Sequence, residues 1–235
     1  MSTKPYGFIC PINMAAEIIG PRWTLSILTS LWNGYTRFND IRRATGNISP
    51  GVLSKRLADL EALDLIRRVE DPATGKIDYV RTEKGIDLEE AIGALARWAQ
   101  RSIDLELMTF SSELAKVMWQ VQKNLKTEAF PQRRVVLRFH FSDEEGPYPT
   151  YWIVAEPGAP VELCSVVPNF DVDLFIETTK VSFAAIILGR STIARELAAD
   201  RLYISGDAVL RETMDQWFFI SYWADTPGIL EFAAE

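Results

Sequence analysis

Residues 37–68 read RFNDIRRATGNISPGVLSKRLADLEALDLIRR, two short helical segments joined by a tight turn and running into a β-rich end. From Arg37 to Ala44, Phe38 and Ile41 fall on one side and Arg42 and Arg43 on the other, the spacing of an amphipathic helix. Gly46 and Asn47 supply the turn chemistry. Ser49 is an N-cap and Pro50 suits the first helical position, so the second helix has a fixed start. Leu53, Leu57 and Leu60 recur at helical spacing and are expected to be buried. That leaves Gly51, Ser54, Lys55, Ala58 and Asp59 on the opposite side and Arg56 at the margin. A helix-turn-helix of this kind can set the N-terminal end of its second helix into a DNA major groove.

The charge balance agrees once it is divided along the chain. The whole sequence carries a net charge of -7, but residues 1–110 hold 14 Lys and Arg against 14 Asp and Glu. The acidic excess therefore lies in residues 111–235, whereas residues 37–68 carry seven basic side chains against four acidic ones, a surplus suited to phosphates. A length of 235 residues suits two domains. No apolar run approaches the roughly 20 residues that span a bilayer, and MSTKPYGF lacks the apolar segment of a signal peptide, so no membrane partner and a cytoplasmic location are expected. Two cysteines, Cys10 and Cys164, and one histidine, His140, are too few for a disulfide framework or a metal centre, and no cofactor is expected.

Outward from the central motif, helical spacing predicts a helix over 12–19, ended by Gly20 and Pro21, and another over 23–32 with Trp23, Ile27, Leu28 and Leu31 packed inward. Residues 65–70 and 77–82 read as strands joined by DPATGK, a wing. Thr82 can cap one long helix over 83–108, whose stripe of Leu88, Ile92, Leu95, Trp98 and Leu105 is too long for a small domain to bury alone. A symmetric homodimer is the simplest consequence. A further helix is predicted over 110–126. Strands are then predicted over 135–141, 151–156, 161–166, 171–178 and 201–205, with helices over 180–188, 192–199 and 207–219. The predicted domains are residues 1–108, a helical linker over 109–130, and residues 131–235.

Residues 10–100 resemble the HxlR-type winged-helix transcriptional regulators. CPINMAAEIIGPRWTLSIL matches their opening helices, RFNDIRRAT the third helix, ISPGVLSKRLADLEALDLIRRV the recognition helix and first wing strand, and YVRTEKG the second strand and next helix start. Gly51 departs from the pattern, since many relatives carry a larger polar or basic side chain there. Residues 133–220 resemble the sterol-carrier-protein-like fold, with LGRSTIARELAADRLYISGDAVLRETMDQWF carrying the likeness. The fold class expected is α+β, a winged helix-turn-helix followed by an α+β sterol-carrier-protein-like domain. The resemblance implies a double-stranded DNA operator, roughly palindromic, read by a homodimer.

For phosphates and groove, the candidates are Arg42, Arg43, Ser49, Ser54, Lys55, Arg56 and Lys76, with Arg67 and Arg68 on the wing; the same cluster would otherwise serve as a solvated face. Cys10, just before Pro11 at a helix N-terminus, is either a thiol poised to sense oxidants, as in some HxlR-type relatives, or a small residue tucked beneath the helix. Trp152, Phe175, Phe183, Trp217 and Phe218 are the candidate lining of a cavity for a hydrophobic small-molecule effector, or plain core. No nucleophile motif surrounds His140 and no phosphate-binding fingerprint appears, so an enzyme is not expected. The reading is a ligand-responsive transcription factor. Its alternatives are a redox switch through Cys10, or a small-molecule carrier whose winged helix only docks proteins.

Overall fold

A computed structural model of the chain describes residues 9–46, 48–110 and 112–229, and divides it into two compact units, Met1–Leu95 and Ala96–Glu235. Asn47 of the expected turn and the opening MSTKPYGF lie outside the described residues.

The first unit is built from α1 (Pro11–Ile19), α2 (Thr24–Trp32), α3 (Phe38–Ala44), α4 (Pro50–Ala62), β1 (Ile66–Glu70) and β2 (Ile77–Arg81), followed by the start of α5 (Glu83–Ser102). Its core joins Ile27, Leu28 and Leu31 of α2 to Ile41, Ile48, Leu53, Leu57, Leu60, Leu65 and Ile66, as the helical spacing requires. Trp23, expected inside the second helix, stands just ahead of it with a left-handed backbone (φ 80°), half-buried against the core. The wing is an antiparallel pair from Ile66↔Arg81 to Glu70↔Ile77. Its loop is closed by the Asp71 N–H donating to the Lys76 carbonyl at 2.8 Å.

One junction fixes this unit. Just past the end of α4, Asp64 stands in the left-handed region (φ 56°), and the Thr82 hydroxyl donates to the Asp64 carbonyl at 2.6 Å. The Thr82 N–H donates to the Leu65 carbonyl at 3.2 Å, and Lys84 Nζ to the Leu63 carbonyl at 2.8 Å. Gly85 passes so close to the Leu65 carbonyl that any Cβ there would collide with it.

The long helix expected to reach Met108 stops at Ser102, and a new one, α6 (Leu105–Phe110), begins after Asp104, whose carbonyl accepts the Met108 N–H at 3.1 Å. The stop has a tertiary cause. Arg190, itself buried, donates to the Gln100 carbonyl at 2.8 Å, capping a carbonyl of the final turn, while the Gln100 side chain donates to the Leu188 carbonyl. The helix expected over 110–126 is likewise shorter, α7 (Leu114–Asn124). Residues 109–130 are no linker: Leu114, Met118, Val121, Leu125 and Phe130 enter the core of the second unit.

That core lies on one face of a five-stranded sheet of β3 (Val135–Phe141), β4 (Thr150–Ala155), β5 (Glu162–Cys164), β6 (Leu174–Thr178) and β7 (Leu202–Gly206), in the order β5-β4-β3-β6-β7. β3 and β6 run parallel and the other neighbours antiparallel. Val135, Leu137, Phe139 and Phe141 alternate onto the face packed by α8 (Lys180–Ile187), α10 (Ala208–Glu212) and α11 (Met214–Trp217). The helix expected over 207–219 is split between α10 and α11 at Thr213, whose hydroxyl turns back to the Val209 carbonyl at 2.8 Å.

The aromatic residues expected to line a cavity do not share one. Phe183, Trp217 and Phe218 interlock as core, with Phe183 edge-on to Phe218 at 5.6 Å. Strand alternation sends Trp152 to the opposite face, beside Val136 and Val154, and leaves Phe175 exposed there.

Beside the core, α9 (Ile193–Ala198) carries the fully buried Glu196, which accepts from Arg201 at 2.8 and 2.9 Å and from the Ser191 hydroxyl. Burial disfavours its charge, but these donors outweigh burial and hold its carboxyl below the ordinary 4.5. Since the folded value lies below the unfolded one, the carboxylate stabilises the fold above its ordinary value and loses that effect as pH falls through the folded value. Glu196→Gln should therefore cost about 3 kcal/mol at neutral pH. The deficit, measured by urea unfolding, should shrink as pH drops below 4.5; a pH-independent deficit would show that the charge is not what matters.

Candidate nucleic-acid interface

The turn between α3 and α4 places the recognition helix. Gly46 adopts φ 85°, which a side chain would strain, and the buried Thr45 hydroxyl donates to the Ile41 carbonyl at 2.8 Å. Ile48 plugs the core, and Ser49 caps α4 by accepting from the Val52 N–H at 3.4 Å. Pro50 follows at the first helical position. With Leu53, Leu57 and Leu60 buried, α4 presents Gly51, Ser54, Lys55 and Ala58 to solvent. Nothing lies within 4 Å of where a Cβ on Gly51 would stand.

The basic candidates divide by what already holds them. Arg42 is half-buried, and its Nε donates to the Ile48 carbonyl at 3.0 Å, bracing the turn from within. Arg43 pairs with Asp40, and Arg56 with Asp59 at 2.9 Å, in both cases within one helix. Arg37 pairs with Asp78 at 2.8 Å and so ties α3 to the wing. Lys55 on α4 and Arg67, Arg68 and Lys76 on the wing are exposed, and their cationic heads pair with no carboxylate among the described residues. They are the groups best placed for phosphates.

Val52 was not singled out by sequence spacing. It is 40% exposed in the first turn of α4, where an apolar side chain can meet a thymine methyl in the major groove. The signal was available: Val52 precedes the buried Leu53 and cannot share its face.

Residues 18–106 match the HxlR-like helix-turn-helix family. The Bacillus subtilis protein described as "Uncharacterized HTH-type transcriptional regulator YvaP" is 38% identical over 98 residues, covering 41% of this chain and 91% of that one. The chain belongs to the HxlR-like family. It is thus a transcriptional regulator of the helix-turn-helix type. A second relative, the B. subtilis HTH-type transcriptional regulator YodB, is 33% identical over 95 residues, covering 40% of this chain and 85% of that one. The solved structure of YodB in its reduced form is 30% identical and covers 41% of this chain and 97% of that one, with a TM-score of 0.38.

Among the described residues no helix is long and apolar enough to cross a membrane, and no cluster of three or more His, Cys, Asp or Glu could hold a metal. Removing Arg42 and removing Lys55 should have different consequences. Arg42→Ala should cost about 1–2 kcal/mol in urea unfolding by orphaning the Ile48 carbonyl, while Lys55→Ala leaves the unfolding midpoint unchanged. Equal midpoints would deny Arg42 its bracing role.

Proposed function

We propose that the HxlR-like chain works as a homodimer on a two-fold-related, roughly palindromic DNA operator, under control of a small molecule received by its second unit. The observation that carries the DNA part is a capped recognition helix whose outward face bears Ser54, Lys55 and Val52, flanked by a wing with free Arg67, Arg68 and Lys76. Phosphate contacts position such a helix, and Ser49, Ser54, Lys55 and Val52 are the groups that reach base edges. Arg42, Arg43 and Arg56 act mainly by holding the two helices in place.

Dimerisation is supported by apolar surface. No residue of α1 is fully buried, and Ile12 is 72% exposed on it. On α5, Leu95 and Trp98 stand 45% and 55% exposed, continuing the stripe begun by Leu88 and Ile92. The mixed sheet with helices packed on one face supports a sterol-carrier-protein-like second unit, and a domain separate from the DNA reader offers a place for an effector. An effector alters operator affinity only by binding two states of the dimer unequally.

Fluorescence anisotropy with operator DNA across a salt series tests the reading. Lys55→Ala should weaken binding at least about tenfold and lower the magnitude of the salt slope by about one. Unaltered affinity and slope would remove Lys55 from the interface. In sedimentation equilibrium, Trp98→Glu should yield a monomer that loses operator affinity.

A second reading rests on Cys10, which occupies the N-cap position of α1 directly before Pro11, half-buried and making no capping bond through its side chain. A thiol there is open to oxidants. Diamide should abolish operator binding by the wild type and spare Cys10→Ser; the same response in both proteins rules the switch out.

A further inference from the structure

We propose that the second unit binds a small zwitterion with an aromatic or branched apolar body, of the free amino-acid class, in an open groove between α5 and the segment 220–227. The groove encloses about 480 Å³, within the range of small-molecule sites, and is lined by Arg97 on α5 and by Ile220, Tyr222, Trp223 and Asp225 opposite. Its walls are fixed. The Ser221 N–H donates to the Ile187 carbonyl at 2.7 Å, and Gln100 on α5 reaches the carbonyls of Leu188 and, at 3.5 Å, Trp223. Gly189, with φ 70°, lies so close to Ala224 that a side chain there would collide with it, which seats the segment against the turn after α8.

The chemistry of the lining selects the ligand. The side chains of Arg97 and Asp225 have no ion pair and no hydrogen bond among the described residues, with one another or with any other group. A simple anion would satisfy Arg97 and meet repulsion from Asp225, and a simple cation the reverse. A molecule carrying a carboxylate and an ammonium satisfies both, and charge-assisted hydrogen bonds are the stronger kind. Ser221 and Thr226 add hydroxyls to the lining, and Ile220, Tyr222 and Trp223 supply its apolar part. Ile220 is 43% and Tyr222 84% exposed, and Tyr222 stands at 87° to Trp223 with ring centroids 5.1 Å apart, forming a corner for a flat or branched body. Because α5 begins in the winged-helix unit and ends here, occupancy of the groove acts on the helix that bears the exposed stripe. That effector role rests on the regulatory reading above, whereas the binding itself does not.

Isothermal titration calorimetry of the full chain without DNA provides the test, using L-phenylalanine, L-tryptophan and L-leucine against 3-phenylpropanoate, which lacks the ammonium, and phenethylamine, which lacks the carboxylate. Saturable binding of at least one amino acid is expected, at least tenfold tighter than either analogue. Arg97→Gln and Asp225→Asn, with melting curves matching the wild type, should each weaken it at least tenfold. Absence of saturation by every amino acid up to about 10 mM would overturn the proposal. Equal binding of the analogues, or wild-type affinity in both variants, would also overturn it. Operator anisotropy at saturating ligand is then compared with the free protein. If the ligand binds and operator affinity does not move, the effector role alone falls.

Discussion

The contact on which the DNA-reading unit depends is the close passage of Gly85 over the Leu65 carbonyl, secured by Thr82 on the Asp64 carbonyl. Three elements meet there: the end of the recognition helix, the start of the wing's first strand and the first turn of α5. Because the backbones touch with no room for a Cβ, the angle between α4 and α5 is set by packing of main chain on main chain and not by adaptable side chains. The reading surface and the first turns of α5 are therefore fixed to each other within one small unit. A dimer formed through the exposed stripe of α5 would place its two recognition helices at a spacing the fold itself defines.

The helix-turn-helix was legible because its determinants are local. Ser49, Pro50, Gly46 and the leucine spacing each act within one turn of themselves, and the structure places all of them as their chemistry requires. The C-terminal end of α5 and the breaks around residues 103 and 213 were not legible in the same way. The stop at Ser102 depends on Arg190, some ninety positions later in sequence, and no local pattern announces such a cap.

The candidate site divides along the same line. The pairings of Arg43 with Asp40 and of Arg56 with Asp59 follow helical spacing and could have been read in advance. The bond from Arg42 to the Ile48 carbonyl depends on the exact path of the turn. The misplaced cavity aromatics had a readable signal: Trp152 follows the core residue Tyr151, and Phe175 lies between the core residues Leu174 and Ile176, so period-two alternation already sends both to the opposite face.

Gly51 gives the recognition helix an unusual latitude. It stands exposed in the first turn of α4 with empty space around it, at a helical backbone that any residue adopts. A side chain installed there would project from the reading surface without disturbing the core beneath. The outward face of α4 can thus be altered at this one position while cap, turn and wing stay as they are.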